Sequence, residues 1–225
     1  MQPWNLIDTA RIPGDGGELR LYQRGEEFSI KLAGAGELMS SRVHGSEDAL
    51  AEHTCARLRA GETPRLLIGG LGMGFTLAAT LRCVGERAQV VVAELIPAVV
   101  AWNRGPLGPL AGHPLDDPRV TVREGDVARI LKAERGGYDA ILLDVDNGPE
   151  GLTRKDNDWL YGMDGLNAAY AALRPGGILA VWSAGPEPAF TQRLRKVGFE
   201  VEEVRVRARG KKGARYVLWF ARRQA

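Results

Sequence analysis

The residues of this chain whose types and spacing could do chemistry are a glycine turn and the acids that follow it. The turn is Gly70-x-Gly72-x-Gly74, inside Arg65-Leu66-Leu67-Ile68-Gly69-Gly70-Leu71-Gly72-Met73-Gly74-Phe75-Thr76-Leu77. Glycine has no Cβ and takes positive φ readily, so such a turn lets the backbone approach a ligand closely. A helix after it would point free N–H groups at whatever occupies the turn. Glu94 lies 22 residues after Gly72 and ends the apolar run Val90-Val91-Val92-Ala93. A carboxylate there can accept two hydrogen bonds from ribose 2′- and 3′-hydroxyls. Asp126 follows Val120-Thr121-Val122 and suits either an adenine amino group or the N-cap of a helix opening at Val127. Asp144 ends Ile141-Leu142-Leu143, where it would face the space above the turn and take part in a transfer step. Asp146 and Asn147 follow in a polar loop, where a plain turn role is the alternative for Asp146. A nicotinamide-dinucleotide fingerprint, G-x-G-x-x-G, would need glycine at Phe75 and fails there.

These residues need a scaffold, and the pattern supplies one. From Arg65 onward apolar strands alternate with helical segments: strands at 65–69, 90–94, 120–122, 138–144 and 178–182, then a C-terminal pair at 199–206 and 216–220. Alternating β and α units predict a seven-stranded, mainly parallel sheet with helices on both faces and an antiparallel hairpin at one edge. In such an open α/β sheet ligands bind beyond the C-terminal ends of the strands, where these acids lie. Ser46 is expected to cap a helix from Glu47 to Leu58, with Glu47 and Asp48 complementing its dipole. Residues 1–45 read differently: strands at 19–23, 28–32 and 37–43 predict a small antiparallel β appendage, leaving 46–225 as the α/β unit.

The totals exclude several classes. With 225 residues, 44% hydrophobic and 26% charged, the chain fits one folded domain with a small appendage rather than a disordered segment. A net charge of +2 calls for no nucleic-acid partner, and the basic run from Arg205 to Arg215 is explained by an edge strand that resists aggregation. Cys55 and Cys83 are expected as buried free thiols, and no apolar run approaches membrane-spanning length, so a cytoplasmic location is expected. His44, His53 and His113 show no metal-ligand spacing, and no metal site is expected. Trp159 and Tyr161 could form an acceptor wall or pack as core, and Trp182 could line the pocket but is expected to pack.

Residues 65–182 resemble the polyamine aminopropyltransferase (spermidine synthase) family, within the class I S-adenosylmethionine-dependent methyltransferase fold. The likeness rests on the glycine turn, Glu94, Asp117-Pro118-Arg119-Val120 leading to Gly125-Asp126, Tyr138-Asp139-Ala140-Ile141-Leu142-Leu143-Asp144, and Leu173-Arg174-Pro175-Gly176-Gly177. The resemblance implies that Gly70, Gly72 and Gly74 cradle the amino-acid end of the cofactor. It implies that Glu94 holds the ribose, Asp126 with Val127 the adenine, and Asp144 the amine nucleophile. It also implies a homodimer. Asp144 and Asp146 are then the catalytic candidates, and Asn147, Trp159 and Tyr161 the acceptor-side candidates.

The chain departs from the family at three places. Spermidine synthases carry an acid in the turn, G-G-G-D-G-G, which suits the cationic tail of decarboxylated S-adenosylmethionine. Here Gly69-Gly70-Leu71-Gly72-Met73-Gly74 has none, which favours the ordinary cofactor with its carboxylate. Asp144-Val145-Asp146-Asn147-Gly148-Pro149 is shorter than the family's D-S-T-D-P-x-G-P, and His44-Gly45-Ser46-Glu47 replaces a tyrosine–histidine–glutamate run. The leading expectation is therefore an S-adenosylmethionine-dependent methyl transfer to a small-molecule acceptor, an amine among the candidates. Aminopropyl transfer from decarboxylated S-adenosylmethionine is the alternative, and a non-catalytic nucleoside-binding or interaction module is the second.

Overall fold

A computed structural model of the chain describes residues 2–14, 17–58, 63–145, 157–209 and 212–225. Strands β1 (Asn5–Arg11), β2 (Glu18–Arg24), β3 (Glu27–Leu32) and β4 (Gly36–Ser40) form an antiparallel sheet in that order. The strongly alternating β2 and β3 bury Leu19, Leu21, Phe28 and Ile30 on one face. The sequence reading missed β1, because its side chains carry no alternating burial: Leu6 is 52% and Ile7 43% exposed. The strand is held by its pairing with β2 and by Trp102 Nε1, which donates to Asp8 Oδ2 at 2.7 Å.

The rest of the chain runs α1 (Gly45–Cys55), β5 (Arg65–Gly69), α2 (Phe75–Cys83), β6 (Gln89–Glu94), α3 (Pro97–Arg104), β7 (Val120–Glu124), α4 (Val127–Ala133) and β8 (Tyr138–Leu143). It continues with α5 (Asn157–Tyr161), α6 (Met163–Ala172), β9 (Leu173–Ser183), α7 (Pro188–Val197), β10 (Phe199–Arg209) and β11 (Lys212–Arg223). The second sheet has the order β10-β11-β9-β8-β5-β6-β7. From β9 across to β7 the pairings are parallel, and β11 pairs antiparallel with both β9 and β10. This is the expected seven-stranded, mainly parallel sheet with an antiparallel hairpin at one edge. Parallel strands lie between helix layers and are buried on both faces, which is why Leu66-Leu67-Ile68 of β5 and Ala140-Ile141-Leu142-Leu143 of β8 read as apolar runs.

After β5 the chain builds outward through β6 and β7, then returns to place β8 on the other flank of β5. The strand order therefore reverses between β5 and β8, and the crevice beyond their C-terminal ends is where such sheets bind ligands. The glycine turn leaves β5 at that point, and Asp144 leaves β8 beside it.

Local details differ from the sequence reading. His44, not Ser46, occupies the N-cap of α1, and the Ser46 hydroxyl instead donates to Glu47 Oε2 at 2.6 Å. Arg174-Pro175-Gly176-Gly177 lies within β9 as an irregularity in its register with β8. Cys83 is exposed and Cys55 only half-buried. Burial, and then the neighbouring Cys83, push the Cys55 thiol up to about 12. The buried face of the N-terminal sheet joins the same core as Leu50, Leu66, Leu77, Val99 and Trp102, so the appendage shares its interior with the α/β unit. Among the described residues no helix is long and apolar enough to cross a membrane.

Candidate active site

The turn is held open by backbone geometry that only glycine tolerates well. Gly70, Gly72 and Gly74 have φ of 90°, 54° and 84°. A Cβ on Gly70 would stand 2.2 Å from the Asp144 carbonyl oxygen, so the two strand ends approach as closely as they do only because residue 70 has no side chain. Gly70 N–H donates to the Ala93 carbonyl and Asp144 N–H to the Gly69 carbonyl, each at 2.9 Å, extending both ladders into the crevice. Gly74 serves a different purpose. It is the left-handed N-cap of α2 and packs against Asn103 and Pro114, away from the cavity walls.

Glu94 ends β6, nearly buried at 7% exposure. Its Oε2 accepts from Leu71 N–H and its Oε1 from Ile96 N–H, both at 2.9 Å. Burial pushes its pKa up from the ordinary carboxylate value, against the pull of the N–H groups of Ile96, Leu71, Gly72 and Leu95. Each oxygen keeps further acceptor capacity for a pair of hydroxyls. Asp126 is the N-cap of α4, with Oδ1 accepting from Ala128 N–H at 2.8 Å. Gly70, Gly72, Glu94, Asp126, Val127 and Asp144 all line one cavity of about 130 Å³. The N-terminal sheet closes its far side with Ile12, Leu19, Ile30, Leu38 and Met39. The cavity thus joins apolar walls to the Glu94 carboxylate and to a glycine turn that opens onto the acid-free N-terminus of α2.

A second cavity of about 390 Å³ shares Leu38, Met39, Gly72 and Asp144 with the first. Its wall adds Glu37, Ser46, Glu47, Phe75, Thr76, Trp182 and Tyr216, and no lysine, arginine or histidine among the described residues lines it. Asp144 Oδ2 accepts from the Thr76 hydroxyl at 2.5 Å. Burial, and then the negative charge of Glu47, push Asp144 up to about 7, with the Thr76 hydroxyl pulling the other way. Burial likewise raises Glu47, opposed by the Ser46 hydroxyl. Tyr216 is raised by burial and by Glu47. Three carboxylates, of Glu37, Glu47 and Asp144, thus line one cavity with hydroxyls for company and no lysine, arginine or histidine among its described lining residues. The arrangement can take up a proton near neutral pH or hold a positively charged group.

Sequence reasoning placed Glu47 on a helix dipole and missed its place in this wall, along with Thr76, Tyr216 and Met39. Trp182, read as packing, lines the second cavity, and its Nε1 has no hydrogen-bond partner among the described residues. Trp159 lies under Lys132, 4.1 Å from Nζ to the ring centre. Tyr161 is buried edge-on to Phe190, its hydroxyl reaching the Val145 carbonyl at 3.3 Å. Neither lines either cavity. Asp146 and Asn147 lie outside the described residues. Among the described residues no three His, Cys, Asp or Glu side chains gather as a metal site would require.

Comparison with known proteins agrees with this fold. Putrescine N-methyltransferase 4 of Nicotiana tabacum is 39% identical over 115 residues, 51% of this chain and 28% of that protein. Polyamine aminopropyltransferase 1 of Streptomyces coelicolor is 33% identical over 162 residues, 71% of this chain and 29% of that protein. The matches thus span under a third of each curated relative. Spermidine synthase from Thermotoga maritima superposes with a TM-score of 0.76 at 18% identity, covering 96% of this chain and 72% of that one. No protein-family model matches. In sequence and in fold the chain is spermidine synthase-like, within the class I S-adenosylmethionine-dependent methyltransferase fold.

Proposed function

We propose that the chain is an S-adenosylmethionine-dependent transferase that moves a methyl group onto a small cationic amine. The observation that carries this reading is the contrast in charge between adjoining walls. The glycine turn bears no acid, while Asp144 and Glu47 face the second cavity without a cation. Buried carboxylates left unpaired are costly, and an ammonium group in that cavity relieves both. Phe75, Trp182 and Tyr216 supply ring faces and apolar wall for its alkyl chain. Two relatives of this chain are named for action on polyamines or putrescine, which supports an amine acceptor.

S-adenosylmethionine, when bound, supplies a methyl group already activated by the sulfonium. The chain's own residues then bind, align and accept a proton. Glu94 and Asp126 fix the adenosine, and Gly70 and Gly72 allow close approach of the backbone. Asp144, oriented by Thr76, accepts the proton that the ammonium must lose before its nitrogen lone pair can attack. Alignment of the two partners supplies roughly 7–11 kcal/mol of the barrier, so Asp144 need not dominate the rate. In this reading residues 46–225 form the cofactor-binding unit and residues 1–45 its outer wall.

Aminopropyl transfer is the second reading, favoured by the likeness to the Streptomyces aminopropyltransferase and served equally by the acidic cavity. Thermal stabilisation separates the two. A ligand at a hundred times its dissociation constant adds about 2.7 kcal/mol. S-adenosylmethionine and its thioether product are expected to stabilise the chain more than the decarboxylated cofactor, and methylated diamine is expected by mass spectrometry. Stronger stabilisation by the decarboxylated form would overturn methyl transfer. No response to any of them would overturn both transfer reactions and leave the non-catalytic module.

A further inference from the structure

Neither cysteine of the chain lines the two cavities, yet the fold brings the pair together. Cys55 is the last residue of α1 and Cys83 the last of α2. The two helices pack against each other. At their N-terminal ends His44 stacks on Phe75, with ring centres 4.3 Å apart. Arg82, beside Cys83, reaches back along α2 to pair with Asp48 of α1 at 2.9 Å. The helices thus run in one sense, and the cysteines close the same end of the pair. Cys55 feels Cys83 directly: after burial, the charge of Cys83 and a thiol hydrogen bond help to push the Cys55 thiol up to about 12. Both thiols are free, Cys83 exposed and Cys55 half-buried. An exposed sulfur beside a sheltered one is the arrangement in which the first meets an oxidant and the second captures the product.

We propose that Cys55 and Cys83 form a reversible oxidation site, in which peroxide oxidises Cys83 and Cys55 closes a disulfide that ties the ends of α1 and α2. The Cys83 sulfur takes one oxygen from hydrogen peroxide, giving a sulfenic acid and one water. The Cys55 sulfur then attacks the Cys83 sulfur, the S–O bond breaks, and the Cys55 proton leaves with the departing hydroxide as a second water. Two thiols and one peroxide become one disulfide and two waters, and a dithiol reductant reverses the change. The raised thiol suits Cys55 to the second step: protonated and half-buried, it is a poor target for reagents in solution, while its place beside Cys83 supplies the effective concentration that capture needs. Glu47 and Thr76 lie near the opposite ends of these same helices, in the wall of the second cavity. The bond therefore clamps the two elements that carry them, whatever reaction the cavity serves.

Titrating the reduced chain with hydrogen peroxide tests it, read by intact mass, maleimide labelling of free thiols and thermal melts. The wild type is expected to become a single chain lighter by two hydrogens, with both thiols lost together. Its Tm should rise by about 5–15 °C, because the bond closes a loop in the unfolded chain. Dithiothreitol should restore mass, thiols and Tm. Cys55→Ser should stop at a Cys83 sulfenic acid that dimedone traps. In Cys83→Ser the remaining Cys55 should react with peroxide at least about tenfold more slowly than the wild-type pair is lost. Three results would overturn the proposal: oxygen gained on Cys83 while Cys55 stays a free thiol, a disulfide formed only between chains, or Cys55 oxidised as fast without Cys83 as with it. Melts of the reduced variants check that serine leaves the fold intact, and the wild-type mass decides the first two results without any variant.

Discussion

The two cavities share a wall but satisfy their acids in opposite ways. Glu94 is held by backbone N–H groups of Leu71 and Ile96, donors fixed in place by the path of the chain. Asp144 is held by the side-chain hydroxyl of Thr76, and Glu47 by that of Ser46 together with its own backbone N–H. A carboxylate tied to backbone dipoles serves to shape the turn and is left to accept neutral hydroxyls. A pair of carboxylates held mainly by hydroxyl donors keeps most of its charge uncompensated, and in the proposed reaction that charge selects the amine. The first cavity is therefore preorganised by backbone, and the second completed by what enters it.

The sharpest way to break this contrast is at Gly70. Gly70→Ala puts a Cβ onto the Asp144 carbonyl and forces alanine to φ 90°, so both cavities lose their common wall. Loss of about 3 kcal/mol or more of stability is expected, with no thermal response to S-adenosylmethionine. Asp144→Asn separates the cavities instead. Turnover should fall by about 10²–10⁴ with cofactor stabilisation retained. Wild-type activity should rise as pH passes about 7, where Asp144 loses its proton, and that limb should vanish in the variant. Linkage gives an independent check on the same group. The folded chain holds a proton on Asp144 up to pH about 7, while an unfolded aspartate releases it near about 3.9. Between those values the folded state binds more protons, so the wild type should lose stability relative to Asp144→Asn as pH rises from about 4 to about 7, and then level off.

Glu47→Gln is a milder intervention, confined to the second cavity. The KM of a cationic amine should rise roughly tenfold, about 1.4 kcal/mol, with cofactor stabilisation unchanged. The activity limb should move to lower pH, because the negative charge that raises Asp144 is gone. Thr76→Val should have the smallest effect. Losing the hydroxyl costs about 1 kcal/mol of stability and moves the limb to higher pH. Movement in the same direction for both variants would show that Glu47 and Thr76 do not act on one carboxylate from opposite sides.

The sequence made the seven-stranded sheet legible because buried parallel strands are unbroken apolar runs, and each is bounded by glycine, proline or an acid. It also brought the first cavity within reach, since Gly70, Glu94, Asp126 and Asp144 each end or closely follow a strand, and strand ends of one sheet converge. The second cavity lacked that guide. Glu47 reaches Asp144 only through the packing of α1 beside the crevice, and on a helix N-terminus its charge had a sufficient local explanation. Tyr216 comes from the last strand and Met39 from the N-terminal sheet, so no spacing in the chain announces either. β1 escaped for a different reason: an edge strand stabilised by backbone pairing needs no hydrophobic alternation.

The hydrogen bond from Trp102 to Asp8 spans 94 residues. Its consequence lies in the order of synthesis. The N-terminal sheet emerges before the α/β unit, yet its apolar face shares one core with Leu66, Val99 and Trp102, which follow much later. At about 5–20 residues per second the ribosome needs about 5–20 s to deliver that tryptophan after Asp8. For that interval Leu19, Leu21, Phe28 and Ile30 lack part of the native surface they cover, and the strands that later wall the first cavity depend on whatever shelters them beside the ribosome.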